Sequence, residues 1–214
     1  MDEEISIINQ NTRYEKIKNF FFENKKKVAA ILLLLIFGLI SYFGFQEINK
    51  RNKIKIANDF NKLLIEHTNE NDEKIIDEMI NIIYEKDKTY SPLALYYLID
   101  KNLVNEKKKL NELFDILIDD TNLEKEIKNL LIYKKALSNA DNLDENTLIK
   151  MLNPIINSES VWKSHALYLL AEFFYSKDQN EKSKEFFNKI ISLPSGNLDI
   201  KRESQKRLNR DFSE

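Results

Sequence analysis

The strongest pattern along the chain is a run with no polar alternation at all. It extends from Val28 to Phe45, VAAILLLLIFGLISYFGF, without a charge, directly after Lys25, Lys26 and Lys27. A helix of that length covers roughly 27 Å, close to the hydrocarbon thickness of a bilayer, and flanking lysines can snorkel to complete the crossing. A core helix of a soluble protein normally keeps one polar stripe, and this segment has none. The run therefore predicts a transmembrane helix over residues 28–46, preceded by a short segment, 1–27. It starts after a mixed-charge stretch and exceeds the about 7–15 residues of a signal-peptide core. The SYFGFQEINK that follows offers no small-x-small cleavage site, so the helix is expected to remain attached as an anchor.

Elsewhere the apolar positions recur with a period of 3.6. Tyr14, Ile17, Phe20 and Phe21 predict a short amphipathic helix at the membrane surface. After the anchor, Ile56, Ala57, Phe60, Leu63 and Leu64 keep the same period, so the membrane helix is expected to continue as a stalk. The break comes at Asn69-Glu70-Asn71-Asp72. Four narrow-faced helices follow, marked by Ile76, Met79, Ile80 and Ile83; by Leu110, Leu113, Phe114, Leu117 and Ile118; by Leu148, Met151, Leu152, Ile155 and Ile156; and by Ser183, Phe186, Phe187, Ile190 and Ile191. Between them lie helices with wider apolar faces, 92–103, 123–140 and 161–175. Start signals agree: Ser91 before Pro92, Asp144, and Ser158 to Ser160 before Trp162. Pro154 is expected to kink or end its helix and Pro194-Ser195-Gly196 to end the fourth, and the polar helix 198–212 reads as a solubilising cap.

Broad and narrow helices alternate, and the pairs repeat. Aligning Ile99, Ala136 and Ala171 gives separations of 37 and 35 residues, near the about 34-residue period of tetratricopeptide repeats. The last pair, SHALYLLAEFFYSKDQNEKSKEFFNKIISLPS, resembles that motif: small Ala171 and Ser183 stand where the family packs its two helices closely, and Phe174 and Phe187 take its aromatic positions. The other pairs are degenerate, with Leu148 in the second small position and no small residue near Asn111. The fold class expected is all-α, a single N-terminal transmembrane helix followed by a degenerate tetratricopeptide-like helical-hairpin solenoid over 47–214. In this register Tyr96, Tyr133 and Tyr168 fall three residues before the aligned positions, at a place that in the resembled family faces the concave partner groove. With His165 and Tyr175 flanking the last, these are the candidate protein-binding residues, rigid rings with hydroxyls suited to an extended peptide or a partner helix. The competing reading is that the rings are ordinary core. Gly38, Ser41 and Gly44 form a small-residue edge on the anchor, read either as a helix-packing face or as the usual glycine content of such helices.

Composition narrows the function. Of 214 residues, 43% are hydrophobic and 32% charged, enough for one soluble domain beyond the anchor. Only three glycines and three prolines occur, which leaves little turn chemistry for a β fold. A net charge of −2 with interspersed signs lacks the basic footprint of nucleic-acid binding, and Lys107 to Lys109 read as a solvated helix end. The absence of cysteine excludes disulfides, thiolate catalysis and Cys-ligated metals. His67 and His165 are the only histidines, and there is no HExxH, Gly-rich phosphate loop or nucleophile motif. No catalytic residues, metal, cofactor or small-molecule substrate are expected. Asp119-Asp120 and Asp141 with Asp144 read as helix-end carboxylates, and Trp162 as a packing anchor.

Taken whole, the KNFFFENKKK run, the single anchor, YSPLALYYLIDKNL, IKNLLIYKKALSNADNLDENTLIKMLNPI, Trp162 and the last repeat resemble a bacterial inner-membrane family that includes the ancillary subunit of the SecYEG translocation channel. The resemblance covers nearly the full chain in order and spacing. It implies a cytoplasmic N-terminus, a periplasmic repeat domain, and work with the channel, periplasmic folding factors and client chains. The alternative expectation is a structural scaffold for envelope or cell-division machinery that touches no client. Lys and Arg are almost equally numerous on the two sides of the span, but the triple lysine abuts it directly, which favours a cytoplasmic N-terminus. With no native cysteine, Asp178→Cys should be labelled by an impermeant maleimide in intact spheroplasts and Asn11→Cys should not; labelling of Asn11→Cys alone reverses the topology.

Overall fold

The computed structural model describes residues 15–16, 18–68 and 72–212. Tyr14 and Ile17 of the expected surface helix, and Asn69, Glu70 and Asn71 of the expected break, lie outside the described residues. Helix α1, Lys25–Glu66, runs 42 residues without interruption, as an absence of proline and a continuous supply of good helix formers allow. The chain divides into two units, Met1–Lys55 and Ile56–Glu214.

In the first unit, helical residues 18–23 precede α1, with Phe20 and Phe21 packed edge to face, 6.1 Å between centroids. The apolar stretch of α1 is one candidate membrane span by length and composition, and none of it is buried by protein. Arg51 and Glu47 pair at 2.8 Å one turn apart, past the end of that stretch.

Among the described residues the second unit contains the end of α1, a short 3-10 turn at Ala140–Asn142 and eight further α-helices: α2 Asp72–Tyr84, α3 Tyr90–Asp100, α4 Lys107–Asp120, α5 Lys125–Asn139, α6 Glu145–Ile156, α7 Lys163–Ser176, α8 Asn180–Ser192 and α9 Leu198–Asp211. No strand occurs among the described residues. Each helix from α2 onward packs on its successor, and α2 on α4, α5 on α7 and α7 on α9 add next-but-one contacts. The apolar side chains gather in three cores. Phe60, Met79, Leu95, Phe114 and Leu131 belong to the first. Ile132, Leu148, Leu152, Leu170 and Phe174 belong to the second, and Leu167, Ala171, Phe187 and Ile190 to the third.

Local chemistry explains the boundaries. α3 opens one residue before Ser91 because the Asp87 carboxylate accepts from the amides of Thr89 and Tyr90 at 2.8 and 2.7 Å. Ser91, read from sequence as a start signal, is buried within the first turn and donates to the Ile82 carbonyl at 2.6 Å, tying α3 to α2. Asp144 caps α6 through the Thr147 amide, and Asn197 caps α9 through Asp199 and Ile200. Pro154 lies in the last turn of α6, which ends two residues later. α3 and α7 end with a residue in the left-handed region, Asn102 at φ 52° and Asp178 at φ 58°. The following amides, Leu103 and Gln179, reach back to Leu98 and Phe174 at 2.9 Å, the bond that closes a Schellman motif.

Small residues let α7 and α8, the most extensively packed pair, approach closely: Ala171 and Ser183 are fully buried, and the Ser183 hydroxyl donates to the Ala171 carbonyl at 2.8 Å. Ala171→Ile places three extra carbons in that crossing and should cost about 1–3 kcal/mol of stability, read as a lowered urea midpoint of the full chain in detergent. An unchanged midpoint would show that the crossing does not depend on small size.

Candidate protein-binding site

In the register expected from the sequence, helices α3, α5 and α7 each carry one of the three candidate tyrosines. Tyr96, Tyr133 and Tyr168 are all half-buried, and each packs against a different one of the three cores. They are thus neither free platforms nor fully enclosed core, and their surroundings differ.

Tyr96 borders a cleft of about 240 Å³ between α3 and α5, walled by Pro92, Leu93, Ile127 and Leu130, with Lys88 and Glu124 on its rim. Its hydroxyl is buried without a hydrogen-bond partner, and burial pushes its pKa up to about 12.

Tyr133 stacks on Trp162, centroids 6.2 Å apart and planes 15° apart, and meets His165 edge to face at 5.7 Å. Trp162 and His165 are themselves 5.0 Å apart. The indole Nε1 donates to the Glu126 carbonyl at 3.1 Å, while the Glu126 carboxylate accepts from the Ser160 hydroxyl at 2.7 Å and the Val161 amide at 3.1 Å. The segment ahead of α7 is therefore pinned to the first turn of α5, with Trp162 as the anchor the sequence suggested. Burial raises the Tyr133 pKa and lowers that of His165, whose Nδ1 is buried without a partner.

Tyr168 meets Phe187 edge to face at 5.6 Å. Its pKa is also pushed up to about 12, by burial first and then by the charge and hydrogen bond of Glu172. Glu172 pairs with Arg207 of α9 at 3.1 Å, and Arg207 pairs with Asp211 at 2.8 Å. The Arg207 guanidinium lies 4.5 Å from the Tyr175 ring centroid, and Tyr175 also meets Phe212. α9 thus covers Tyr175, with Arg207 as the positive partner of half-buried Glu172, and Arg207 and Arg210 together as the partners of Asp211. No ring contact joins the three tyrosines to one another among the described residues.

On α1, Gly38, Ser41 and Gly44 are exposed, and a Cβ added at either glycine would meet nothing within 4 Å. Small size is not required at the two glycines by any contact among the described residues.

One polar constellation had no signal in the sequence. His67, just past the end of α1, accepts or donates through both ring nitrogens, Nε2 at 2.7 Å from Asp72 and Nδ1 against the Tyr97 hydroxyl, though Tyr97 is 30 residues away. Burial and then the Asp72 charge raise the Tyr97 pKa. A phenol held less acidic is poorly suited to act as nucleophile or base, and the trio works as a latch joining the end of α1 to α2 and α3. Among the described residues no group of His, Asp and Glu side chains is arranged to hold a metal ion.

Because the folded state holds the His165 pKa below its ordinary value of about 6.5, the unfolded chain protonates first as pH falls. Its contribution to stability is complete above about pH 6.5 and declines below it. The melting temperature of the full chain should fall between pH 7.5 and 5.5, and fall less in His165→Gln; equal slopes would contradict the burial. In comparisons with known proteins, no family model, no curated protein and no solved structure matches this chain.

Proposed function

We propose that the chain is a membrane-anchored, protein-binding subunit that assists secretory-protein translocation or periplasmic chaperoning at the SecYEG channel. Its N-terminus is cytoplasmic, α1 crosses the inner membrane, and the remainder is a periplasmic, degenerate tetratricopeptide-like solenoid closed by α9. Its partners are the channel, periplasmic folding factors and client chains, and it catalyses no reaction. The observation that carries the reading is the wholly exposed apolar span of α1 in a chain whose other helices bury their apolar faces. Contacts between successive and next-but-one helices and the three tyrosines in one register support a repeat domain that binds proteins. Helix pairs of this kind contact only their neighbours in the series and leave an extended surface for partners.

Affinity purification of the full chain from membranes in mild detergent tests this. Channel subunits should co-purify. If Gly38, Ser41 and Gly44 form the helix-packing edge, the Gly38→Leu, Ser41→Leu double variant should insert normally but lose them, since close helix approach depends on small side chains. Recovery of division or envelope scaffold proteins without the channel would overturn the proposal in favour of a scaffold.

A further inference from the structure

The repeat register shows what a side chain does in the place that is open beside Tyr96. Trp162 and His165 stand six and three residues before Tyr168; Ile127 and Leu130 stand six and three residues before Tyr133. The two pairs therefore stand at equivalent distances from those tyrosines, Ile127 and Leu130 on α5, His165 on α7 and Trp162 immediately ahead of it. Trp162 and His165 cover the Tyr133 ring. Ile127 and Leu130, facing Tyr96 from the same positions, are smaller and leave the cleft of about 240 Å³. At the third place Phe187 covers the Tyr168 ring and Glu172 engages its hydroxyl. Tyr96 alone of the three keeps a buried hydroxyl without a partner.

The cleft is smaller than the roughly 300–1,000 Å³ of small-molecule pockets, so a single side chain suits it better than a cofactor. Its walls are apolar, and Leu93 on the rim is 42% exposed. Lys88 and Glu124 add opposite charges at the rim, and the ion pair nearby joins Lys86 to Asp120 instead.

We propose that this cleft docks one aromatic side chain of a partner protein, a tryptophan whose indole stacks on Tyr96 as Trp162 stacks on Tyr133, from a segment with an acidic residue on one side and a basic residue on the other. The flanking charges meet Lys88 and Glu124. The inference rests on the protein-binding reading above and gives it a partner chemistry.

The test uses the full chain in detergent with 3-fluorotyrosine incorporated, titrated with the peptide acetyl-Asp-Ala-Trp-Ala-Lys-amide and with the same peptide carrying Leu in place of Trp. The Tyr96 fluorine resonance, identified by its loss in Tyr96→Phe, should shift saturably with the Trp peptide, at least tenfold more tightly than with the Leu peptide. Ile127→Trp supplies the indole from within and should abolish the shift. Equal binding of both peptides, no saturable shift, or unaltered binding in a folded Ile127→Trp variant would overturn the inference. Should Ile127→Trp not fold, the comparison of peptides on the unaltered chain decides alone. Failure here with co-purification of the channel intact sinks only the cleft; loss of co-purification sinks the reading beneath it.

Discussion

Twelve large apolar side chains between Ile31 and Phe45 have no protein over them. At roughly 1.5–3 kcal/mol for burying each such side chain, leaving them in water costs on the order of 20 kcal/mol or more. That exceeds the about 5–15 kcal/mol by which a whole domain is normally stable. Among the described residues no protein covers the run, and its length and composition fit a cover of lipid. Lipid, or lipid together with another membrane helix, satisfies the constraint, because a helix meets all its interior backbone hydrogen bonds by itself. Lysines before the run and Lys50, Arg51 and Lys53 after it suit the two headgroup layers.

The second unit solves the opposite problem, since none of its helices can bury an apolar face alone. Adjacent residues on one helix are divided between cores: Leu131 of α5 belongs to the first and Ile132 to the second, while on α7 Ala166 belongs to the second and Leu167 to the third. α5 and α7 are thus shared elements, each apolar on two sides. Stability propagates through them from neighbour to neighbour. α9 ends the series with a polar outer face, fastened by Arg207 between Glu172 and Asp211.

This sharing is also why so much of the fold was legible. The order of helices could be read from periodicity, and α5 and α7, which serve two cores, show broad apolar faces; α3 reads as broad too but serves the first core alone and packs more on α2 than on α4, so the pairing was not legible there. Boundaries were legible where a cap is local, as at Asp144, and misplaced where the decisive group was elsewhere. Ser91 looked like a start signal, but its hydroxyl serves Ile82 and the cap is Asp87. That α3, α5 and α7 each carry a tyrosine could be read, but not what fills the space beside each ring. That depends on residues about thirty positions away, such as Trp162 against Tyr133, and on pairs such as Asn111 with Asn139 or His67 with Tyr97, which no local pattern announces. The cleft at Tyr96 emerges only when equivalent neighbours are compared in three dimensions.

The central claim is that an anchored helical domain presents its repeat face to other proteins. Incorporation of a benzoylphenylalanine photo-crosslinker at Leu93, on the exposed rim beside Tyr96, in the full chain in living cells tests it most directly. Irradiation during active secretion should give adducts with channel subunits, folding factors or secretory chains. An absence of protein adducts from Leu93, with the same probe at Leu35 labelling lipid, would leave an anchored domain that presents nothing to a partner and would contradict the account.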